Sequence, residues 1–428
     1  MYTLEDNLIL YSFAEESGLL NQAVKLAEVD SEDVDFEINR IVRTLLSFAA
    51  EHGFDGNLWH GYIAYHIAMN ENPFSLIKEK RNVFNGGMAD MAKKDCKVLR
   101  KLFNLDAVLV KKYPEIDSFV KIRDFNNVDF KVSDESKAIL QLRDDLEEES
   151  SDDELFFQTI SRFYERYGTG ALGLSKTFTV KVDDGKTCFS PVRNTENIRL
   201  SDLIGYEIQK QRLEENTKAF LNKKPANNVL LFGDGGTGKS TSIRAIANQY
   251  YEDGLRIIQV YRHQMKYLSQ IIDKIKKRNY RFIIYMDDLS FEDFETEYKY
   301  LKAVIEGGLE ARPENVLIYA TSNRRHLIKE TWNDRNDVEQ DQDMHRSDSM
   351  AEKLSLSERF GVQIYYGKPS KDEFHKIVET LALRENIKTD LEELRKEATK
   401  WEIRHGGVSG RSARQFIDYI KGTEENTR

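Results

Sequence analysis

A glycine-rich segment at residues 233–240 restricts the fold of this chain more than any other feature. It reads Gly-Asp-Gly-Gly-Thr-Gly-Lys-Ser, a full match to the phosphate-binding pattern G-x-x-x-x-G-K-[ST]. An apolar run at residues 229–232 precedes it, and a helical pattern at residues 240–251 follows it. Glycines let the backbone curl so that its N–H groups converge on phosphate oxygens, and the helix adds the positive end of its dipole. The sequence therefore predicts a strand–loop–helix unit that binds a nucleotide phosphate.

The polar residues of this segment have distinct predicted tasks. Lys239 can reach the β- and γ-phosphates, and the Ser240 hydroxyl can join the coordination shell of Mg²⁺. The residues predicted here to bind the nucleotide are Gly233, Asp234, Gly235, Gly236, Thr237, Gly238, Lys239, Ser240 and Thr241.

Two carboxylates, Asp287 and Asp288, directly follow an apolar run at residues 281–286. At the C-terminal edge of a buried strand, Asp287 would lie beside the phosphates and hold Mg²⁺, mostly through water. Asp288 would orient or polarise the water that attacks the phosphate. Glu292 is a second candidate for that base.

Short apolar runs alternate with helical patterns from about residue 200 onward. The runs occupy residues 229–232, 256–260, 281–286, 315–320 and 362–366. Five strands interleaved with helices predict the α/β class, with a parallel five-stranded sheet covered on both faces. After residue 369 the strands stop. Capping-box patterns at residues 370–373 and 389–392 start two helices, and residues 410–421 predict a third.

The rest of the chain has different patterns. Residues 1 to about 165 show the apolar spacing of helices, and an acidic run at residues 146–154 marks a soft boundary. Alternation at residues 177–192, with a turn at Asp184-Gly185, predicts a β-hairpin. We therefore expect a mainly α-helical N-terminal domain (1–165), a β-hairpin connector (166–199), an α/β core (200–368) and a helical lid (369–428).

Composition restricts the partners. The net charge is −10, and an acidic chain binds nucleic acid poorly without a local basic surface. The two cysteines, Cys96 and Cys188, indicate neither a zinc site nor a disulfide framework. No signal peptide and no apolar run of bilayer length is evident, so we expect a soluble cytoplasmic protein without membrane contact.

The order of these motifs over about residues 198–422 resembles that of AAA+ ATPases. Residues 200–205 (Leu-Ser-Asp-Leu-Ile-Gly) resemble the segment that packs on adenine, which includes Ile204 and Gly205. Residues 233–240 resemble the Walker A motif, and residues 282–288 resemble Walker B.

Three further segments resemble AAA+ motifs that lie later in the chain. Residues 316–323, which end in Asn323, are similar to the sensor 1 strand. Residues 357–361 (Ser-Glu-Arg-Phe-Gly) resemble the box that carries the arginine finger, here Arg359. Residues 407–414 resemble the sensor 2 helix, where Arg411 is the first candidate and Arg414, one turn later, remains an alternative.

The resemblance implies an activity and an assembly. It implies a three-layer P-loop core with a helical lid, which binds ATP and Mg²⁺ and hydrolyses ATP. Lys239, Asp288, Asn323, Arg359 and Arg411 would serve catalysis, with Asn323 between the γ-phosphate and Asp287. In the family the arginine finger acts on the ATP of the neighbouring subunit, so a ring-like homo-oligomer is expected.

Four short runs of the sequence also resemble, more narrowly, the bacterial domain-of-unknown-function family 815 of predicted AAA+ ATPases. The runs that carry this resemblance are residues 56–62, 72–75, 287–292 and 353–361. Two of these runs lie in the N-terminal half, so the likeness is not confined to the core.

Two departures from the AAA+ pattern are evident. The residue after the Walker B aspartate is usually Glu, whereas Asp288 is one methylene shorter and could place the water less well. Residues 329–350 form a long polar segment, which is either a mobile loop or a contact for a partner; we favour the loop.

Three hypotheses for the biological output remain open. The first is a remodelling or assembly ATPase whose N-terminal helices grip a protein client. The second is a DNA-associated loader or transposition-type ATPase, which needs a basic stripe. The third is an ATP-binding switch with little turnover, motivated by Asp288. The stripe could come from Lys93, Lys94, Lys97, Arg100 and Lys101, which otherwise form a solvated helix face.

Overall fold

The computed structural model describes residues 7–13, 17–29, 33–81, 85–126, 132–192, 196–291, 297–306, 313–323, 327 and 356–425. The chain divides into two compact units, Met1–Ser175 and Lys176–Arg428. Among the described helices, none combines the length and the apolar character needed for a bilayer span.

The secondary structure of the first unit consists of helices, apart from one antiparallel bridge between Gly56 and Phe125, among its described residues. Its α-helices are α1 (Ser17–Glu28), α2 (Val34–His52), α3 (Leu58–Met69), α4 (Pro73–Glu79), α5 (Gly87–Phe103), α6 (Leu105–Lys112), α7 (Asp117–Lys121), α8 (Asp134–Glu148), α9 (Asp153–Tyr167) and α10 (Gly170–Leu174). A short 3₁₀ helix, Ile122–Asp124, follows α7.

The apolar helix α3 lies at the centre of this unit. Asn57 caps it, because the Asn57 side chain accepts hydrogen bonds from the backbone N–H groups of Trp59 and His60. Trp59 is fully buried, and its indole N–H donates to the carbonyl oxygen of Leu102 on α5 at 2.9 Å. Because α3 is apolar on all sides, it must be surrounded by other helices, as the structure shows.

The buried carboxylate of Asp95, on α5, holds the segment that precedes α1. It accepts hydrogen bonds from the backbone N–H groups of Ile9 at 3.0 Å, Leu10 at 2.7 Å and Tyr11 at 3.2 Å. The Tyr11 hydroxyl lies 2.9 Å from that of Tyr164 on α9. One carboxylate thus anchors three consecutive backbone N–H groups of the segment before α1.

A charged network joins α3, α6 and α8 around His60. The Nδ1 of His60 lies 2.7 Å from Oε1 of Glu147, and its Nε2 lies 3.2 Å from Oδ1 of Asp106. Arg123 pairs with the other oxygen of Asp106 at 2.8 Å. Burial by itself lowers the pKa of His60, but the hydrogen bonds with Asp106 and Glu147 outweigh it and raise the pKa above its ordinary value.

The second unit contains a sheet and the helices that pack on it. Its strands are β1 (Thr177–Asp183), β2 (Lys186–Pro191), β3 (Val229–Gly233), β4 (Leu255–Gln259), β5 (Arg281–Met286), β6 (Val316–Ser322) and β7 (Val362–Tyr366). Its α-helices are α11 (Glu207–Leu221), α12 (Lys239–Gln249), α13 (Leu268–Ile275), α14 (Glu297–Glu306), α15 (Lys371–Arg384), α16 (Leu391–Arg404) and α17 (Gly410–Glu425). Two 3₁₀ helices, Leu200–Asp202 and Arg262–Tyr267, lie between them.

The predicted α/β class is confirmed, but the number of strands is wrong: the sheet has seven strands, in the order β2-β1-β4-β5-β6-β3-β7. The five predicted strands correspond to β3 to β7 and are parallel. The hairpin adds the other two, because β1 pairs parallel with β4 and antiparallel with β2. The hairpin pattern in the sequence could not reveal that β1 would cover the open edge of β4.

The last three helices share an apolar core of their own, built from residues such as Phe374, Val378, Phe416 and Ile417. As predicted, Ser370 and Glu373 form a capping box at the start of α15. Helix α16 begins one residue later than its predicted box, since Asp390 is the cap and accepts from the N–H of Glu392. A carboxylate directly before the first turn displaces the expected threonine cap.

Candidate functional site

The glycine-rich loop runs from the end of β3 to the start of α12. A Cβ atom at Gly233, where φ is 131°, would lie 2.2 Å from the carbonyl oxygen of Tyr366, so β7 leaves no room for a side chain. At Gly236, where φ is 74°, a Cβ atom would meet the side chains of Arg411 and Ser409 at 3.1 Å. The glycines thus permit both the curl of the loop and close approach by two neighbouring segments.

The Lys239 side chain folds back over the loop. Its Nζ donates to the carbonyl oxygens of Gly233 at 2.9 Å and Asp234 at 2.6 Å, and to Oδ1 of Asn323 at 3.0 Å. Burial lowers the pKa of Lys239, although nearby carboxylates such as Asp234 act in the opposite direction. A partly desolvated ammonium group at the mouth of the loop is well placed to bind an anion.

Asp287 joins the end of β5 to the start of α12. Its Oδ1 accepts hydrogen bonds from the Ser240 hydroxyl at 2.7 Å and the Thr321 hydroxyl at 2.6 Å. Burial by itself raises the pKa of Asp287, but the hydrogen bonds from Thr321 and Ser240 outweigh it and hold the pKa below its ordinary value. The carboxylate is therefore ionised at neutral pH.

The contact between Ser240 and Asp287 suits a Mg²⁺ ion. A hydroxyl and an ionised carboxylate supply the hard oxygen donors that Mg²⁺ prefers. Within the described ranges, no group of three or more His, Cys, Asp or Glu residues could enclose a metal by itself.

Asp288 occupies the turn after β5 in a left-handed conformation, with φ at 50°. Its backbone N–H donates to the Thr321 hydroxyl at 2.9 Å, and its Oδ1 accepts from Nδ2 of Asn323 at 2.8 Å. Asn323 therefore links Asp288 to Lys239. Glu292, the second candidate base, and the polar segment at residues 329–350 lie outside the described residues.

The two candidate sensor 2 arginines have different surroundings. The guanidinium of Arg414 pairs with Glu385 at 2.8 Å and with Asp418 at 3.0 Å. In the part of the chain that the structure describes, the guanidinium of Arg411 has no ion-pair partner. Arg411 is thus the one of the two with a side chain available to a ligand.

These groups surround a cavity of about 990 Å³. The predicted site residues that line it are Ile204, Gly235, Gly236, Thr237, Gly238, Lys239, Ser240, Thr241, Asp287, Asp288, Asn323, Arg411 and Arg414. Gly205, Gly233 and Asp234 do not line it: the last two face Lys239 with their carbonyl oxygens, and Gly205, with φ at 79°, shapes the turn before α11.

Sequence reasoning missed several lining residues. Ile198, Ile377 and Leu381 add apolar surface beside Ile204, and Arg244 and Arg384 add positive charge. Arg384 also donates to the carbonyl oxygen of Asp202 at 2.8 Å. The spacing of Ile377 and Leu381 on one helix face predicts that both are buried. It does not show whether they pack inside the group of the last three helices or line the cavity.

Arg359 does not line the cavity. Its guanidinium forms an ion pair with Glu306 at the end of α14. Its Nε is buried and makes no hydrogen bond with any described residue. The structure therefore places Arg359 apart from the other predicted catalytic residues.

Comparisons with known proteins agree with these motifs. A family model described as "Protein of unknown function (DUF815)" matches residues 175–424. A protein from Brugia malayi described as a probable spastin homologue is 36% identical over 78 residues, which cover 16% of this chain and 17% of that protein. The chain thus matches about a sixth of that relative's length. Because spastin is an AAA ATPase, the match supports a relationship to the AAA+ ATPases.

Proposed function

The chain belongs to the DUF815 family, and on that premise we propose that it is an AAA+ ATPase that binds ATP with Mg²⁺ and hydrolyses it to ADP and phosphate. One observation carries the proposal. Lys239, Ser240, Asp287, Asp288 and Asn323 form a continuous set of contacts at one side of a cavity large enough for a nucleotide.

In this proposal the loop binds the triphosphate. Backbone N–H groups of the loop and of the first turn of α12 would donate to phosphate oxygens. Lys239 would exchange its contacts with the carbonyl oxygens of Gly233 and Asp234 for contacts with the β- and γ-phosphates. That exchange favours the bound state because an ammonium group attracts an anion more strongly than a carbonyl dipole.

Ser240 and Asp287 would hold the metal ion. When bound, Mg²⁺ supplies charge neutralisation to the phosphates. Asp287 is suited to this task because its pKa is held below the ordinary value, so that no proton competes for the carboxylate at neutral pH.

Asp288 and Asn323 would position the attacking water. One oxygen of Asp288 accepts from Nδ2 of Asn323, so the other oxygen can accept a hydrogen bond from water. Asn323 also contacts Lys239, which couples the orientation of Asp288 to the ammonium group at the phosphates. The arrangement favours attack in line with the γ-phosphate.

The proposal also concerns adenine and the lid, which consists of the last three helices. The apolar surface of Ile204, Ile377 and Leu381 would pack on adenine, with Arg411 directed at the phosphates. Because these residues belong to both the core and the last three helices, bound ATP would set the angle between them. The mechanical output would act on a protein client held by the N-terminal helices.

The DNA-loader hypothesis receives less support. Lys93 pairs with Glu154 at 2.8 Å, and Lys97 and Arg100 pair with Asp153 at 3.5 and 2.6 Å. Three of the five charges in the basic stripe are thus offset by α9, which weakens an electrostatic site for phosphates. ATP hydrolysis that is stimulated by DNA and falls steeply with salt concentration would support the DNA-loader hypothesis instead.

Release of ADP during incubation with Mg·ATP tests the proposal. We expect steady release by the wild type and a decrease of at least about 100-fold in Lys239→Ala. Lys112→Ala is a matched control, because Lys112 also donates to a backbone carbonyl oxygen, that of Leu26 at 3.0 Å, but lies in the first unit. Equal release by the wild type and Lys239→Ala would refute the proposal.

A further inference from the structure

The hydroxyl of Thr321 contacts both halves of the acidic pair at the end of β5. It donates to Oδ1 of Asp287 at 2.6 Å and accepts from the backbone N–H of Asp288 at 2.9 Å. An ionised carboxylate can only accept and an amide can only donate, so the direction of both hydrogen bonds is determined. The side chain is also locked in place, because Thr321 is only 1% exposed.

Thr321 also closes the turn that contains Asp288. Its backbone carbonyl oxygen accepts from the N–H of Leu289 at 2.7 Å. Two consecutive amides, those of Asp288 and Leu289, are therefore bound by one residue. Asp288 has a φ of 50°, and a non-glycine residue keeps such a conformation only where its surroundings hold it.

We infer that Thr321 is a positioning residue that aligns both carboxylates for the chemistry proposed above. It orients Asp287 toward the metal ion and holds the turn that presents Asp288 to Asn323 and to water. This inference rests on the proposed ATPase function. It concerns a residue that lies within the segment similar to the sensor 1 strand but to which the resemblance assigns no role.

The position of Thr321 distinguishes its role from that of the phosphate loop. Lys239 contacts Gly233, Asp234 and Asn323, and none of its hydrogen bonds involves Thr321. Loss of the Thr321 hydroxyl should therefore weaken the response to Mg²⁺ and slow hydrolysis, while binding of ATP without metal stays intact. Residues behind a metal ligand typically change metal affinity or activity by about 10- to 100-fold.

Thr321→Val tests the inference, because both side chains are β-branched and valine lacks the hydroxyl. Two measurements are compared with the wild type: the Mg²⁺ concentration that half-saturates binding of a fluorescent ATP analogue, and the single-turnover rate of hydrolysis. We expect Thr321→Val to need about tenfold more Mg²⁺ and to react at least about tenfold more slowly. Binding of the analogue in EDTA should change less than twofold.

Two further variants and one control sharpen the test. Thr321→Ser keeps the hydroxyl and should restore both quantities to near wild-type values. Thr321→Ala repeats the loss of the hydroxyl with a smaller side chain, in case Thr321→Val does not fold. Thr217→Val is the matched control: Thr217 is equally buried, and its hydroxyl bonds to Leu213 and Tyr319 rather than to the acidic pair.

The outcomes separate this inference from the function on which it rests. If the wild type responds to Mg²⁺ and hydrolyses ATP while folded Thr321→Val and Thr321→Ala match it, the inference is wrong and the ATPase proposal stands. If Thr217→Val loses as much as Thr321→Val, the effect is general destabilisation and the inference is wrong. If the wild type itself neither binds nor hydrolyses ATP, the proposed function fails and the inference fails with it.

Discussion

The backbone N–H of Arg411 donates a hydrogen bond to the carbonyl oxygen of Gly236 at 3.2 Å. The start of α17 thus touches the middle of the phosphate loop directly. A side chain at position 236 would crowd this contact, since its Cβ atom would lie 3.1 Å from Cβ of Arg411 and the φ of 74° disfavours any residue but glycine. The conformation of the loop and the position of the last helix are therefore physically connected.

That relationship predicts which arginine senses the nucleotide. Arg411→Ala should weaken ATP binding about tenfold, because it removes a cationic side chain that has no other ion-pair partner among the described residues. Arg414→Ala should change binding less than threefold, since Arg414 pairs with Glu385 and Asp418. Titration of a fluorescent ATP analogue measures both. A larger loss in Arg414→Ala would assign the sensor 2 role to Arg414 instead.

Substitution of Asp288 decides between an enzyme and a switch. Asp288→Asn should keep the fold, because Asn tolerates a positive φ as well as Asp does. It should lower the single-turnover rate at least about 100-fold, because an amide cannot accept a proton from water. Binding of ATP, measured in parallel, should stay within twofold. Equal and slow rates for the two proteins would mean that Asp288 is not the base and would favour a switch.

Arg359 should act on the ATP of a neighbouring copy. Arg359→Ala should lower turnover about 1,000-fold and leave ATP binding unchanged, as expected for an arginine finger. Mixing Arg359→Ala with Lys239→Ala should restore part of the activity, because some sites would combine an intact loop with an intact finger. Each variant alone at the same total concentration is the control.

Two results would contradict action between copies. One is a mixture no more active than its components. The other is a wild type that stays monomeric with ATP at micromolar concentration while Arg359→Ala hydrolyses normally. In either case the ion pair between Arg359 and Glu306 would be structural.

The network around His60 predicts a dependence of stability on pH. Because the folded pKa of His60 is raised, its contribution to stability is complete below the unfolded pKa of about 6.5 and is lost as pH rises through the folded pKa. The thermal midpoint of the wild type should therefore fall between about pH 6 and pH 8.5 by more than that of His60→Gln. The groups that face His60 are Asp106 and Glu147, with Arg123 on the far side of Asp106.

His66→Gln serves as the control, since His66 is a second buried histidine of the same helix. Parallel pH profiles for the wild type and His60→Gln would show that the imidazole does not change its charge on unfolding in this range, contrary to the prediction.

The parts of this protein that were predictable are those whose signals are local. The strand before Gly233, the loop and the helix from Lys239 are consecutive in the chain, so pattern and spacing define them together. Asp287 follows a strand that is buried on both faces, which made its place at the edge of the sheet predictable. The roles given to these residues stay predictions until they are measured.

The parts that were not predictable depend on partners distant in sequence. The hairpin pattern was clear, but its pairing with β4 joins residues about 80 positions apart, so the strand count was wrong. Thr321 lies within an apolar run and looks like any β-branched strand residue, although its hydroxyl holds Asp287 and Asp288.

The amino-acid sequence alone determined the strand, glycine-rich loop and helix at residues 229–249, the α/β class and the family, because a backbone curl and an apolar strand depend on residues next to one another. Only the tertiary structure decided that Arg414 forms an ion pair with Glu385, whereas the backbone of Arg411 contacts the loop. It also decided that Arg359 pairs with Glu306. The energy of a charged side chain depends on which opposite charges the fold brings within a few ångströms, and sequence spacing does not contain that information.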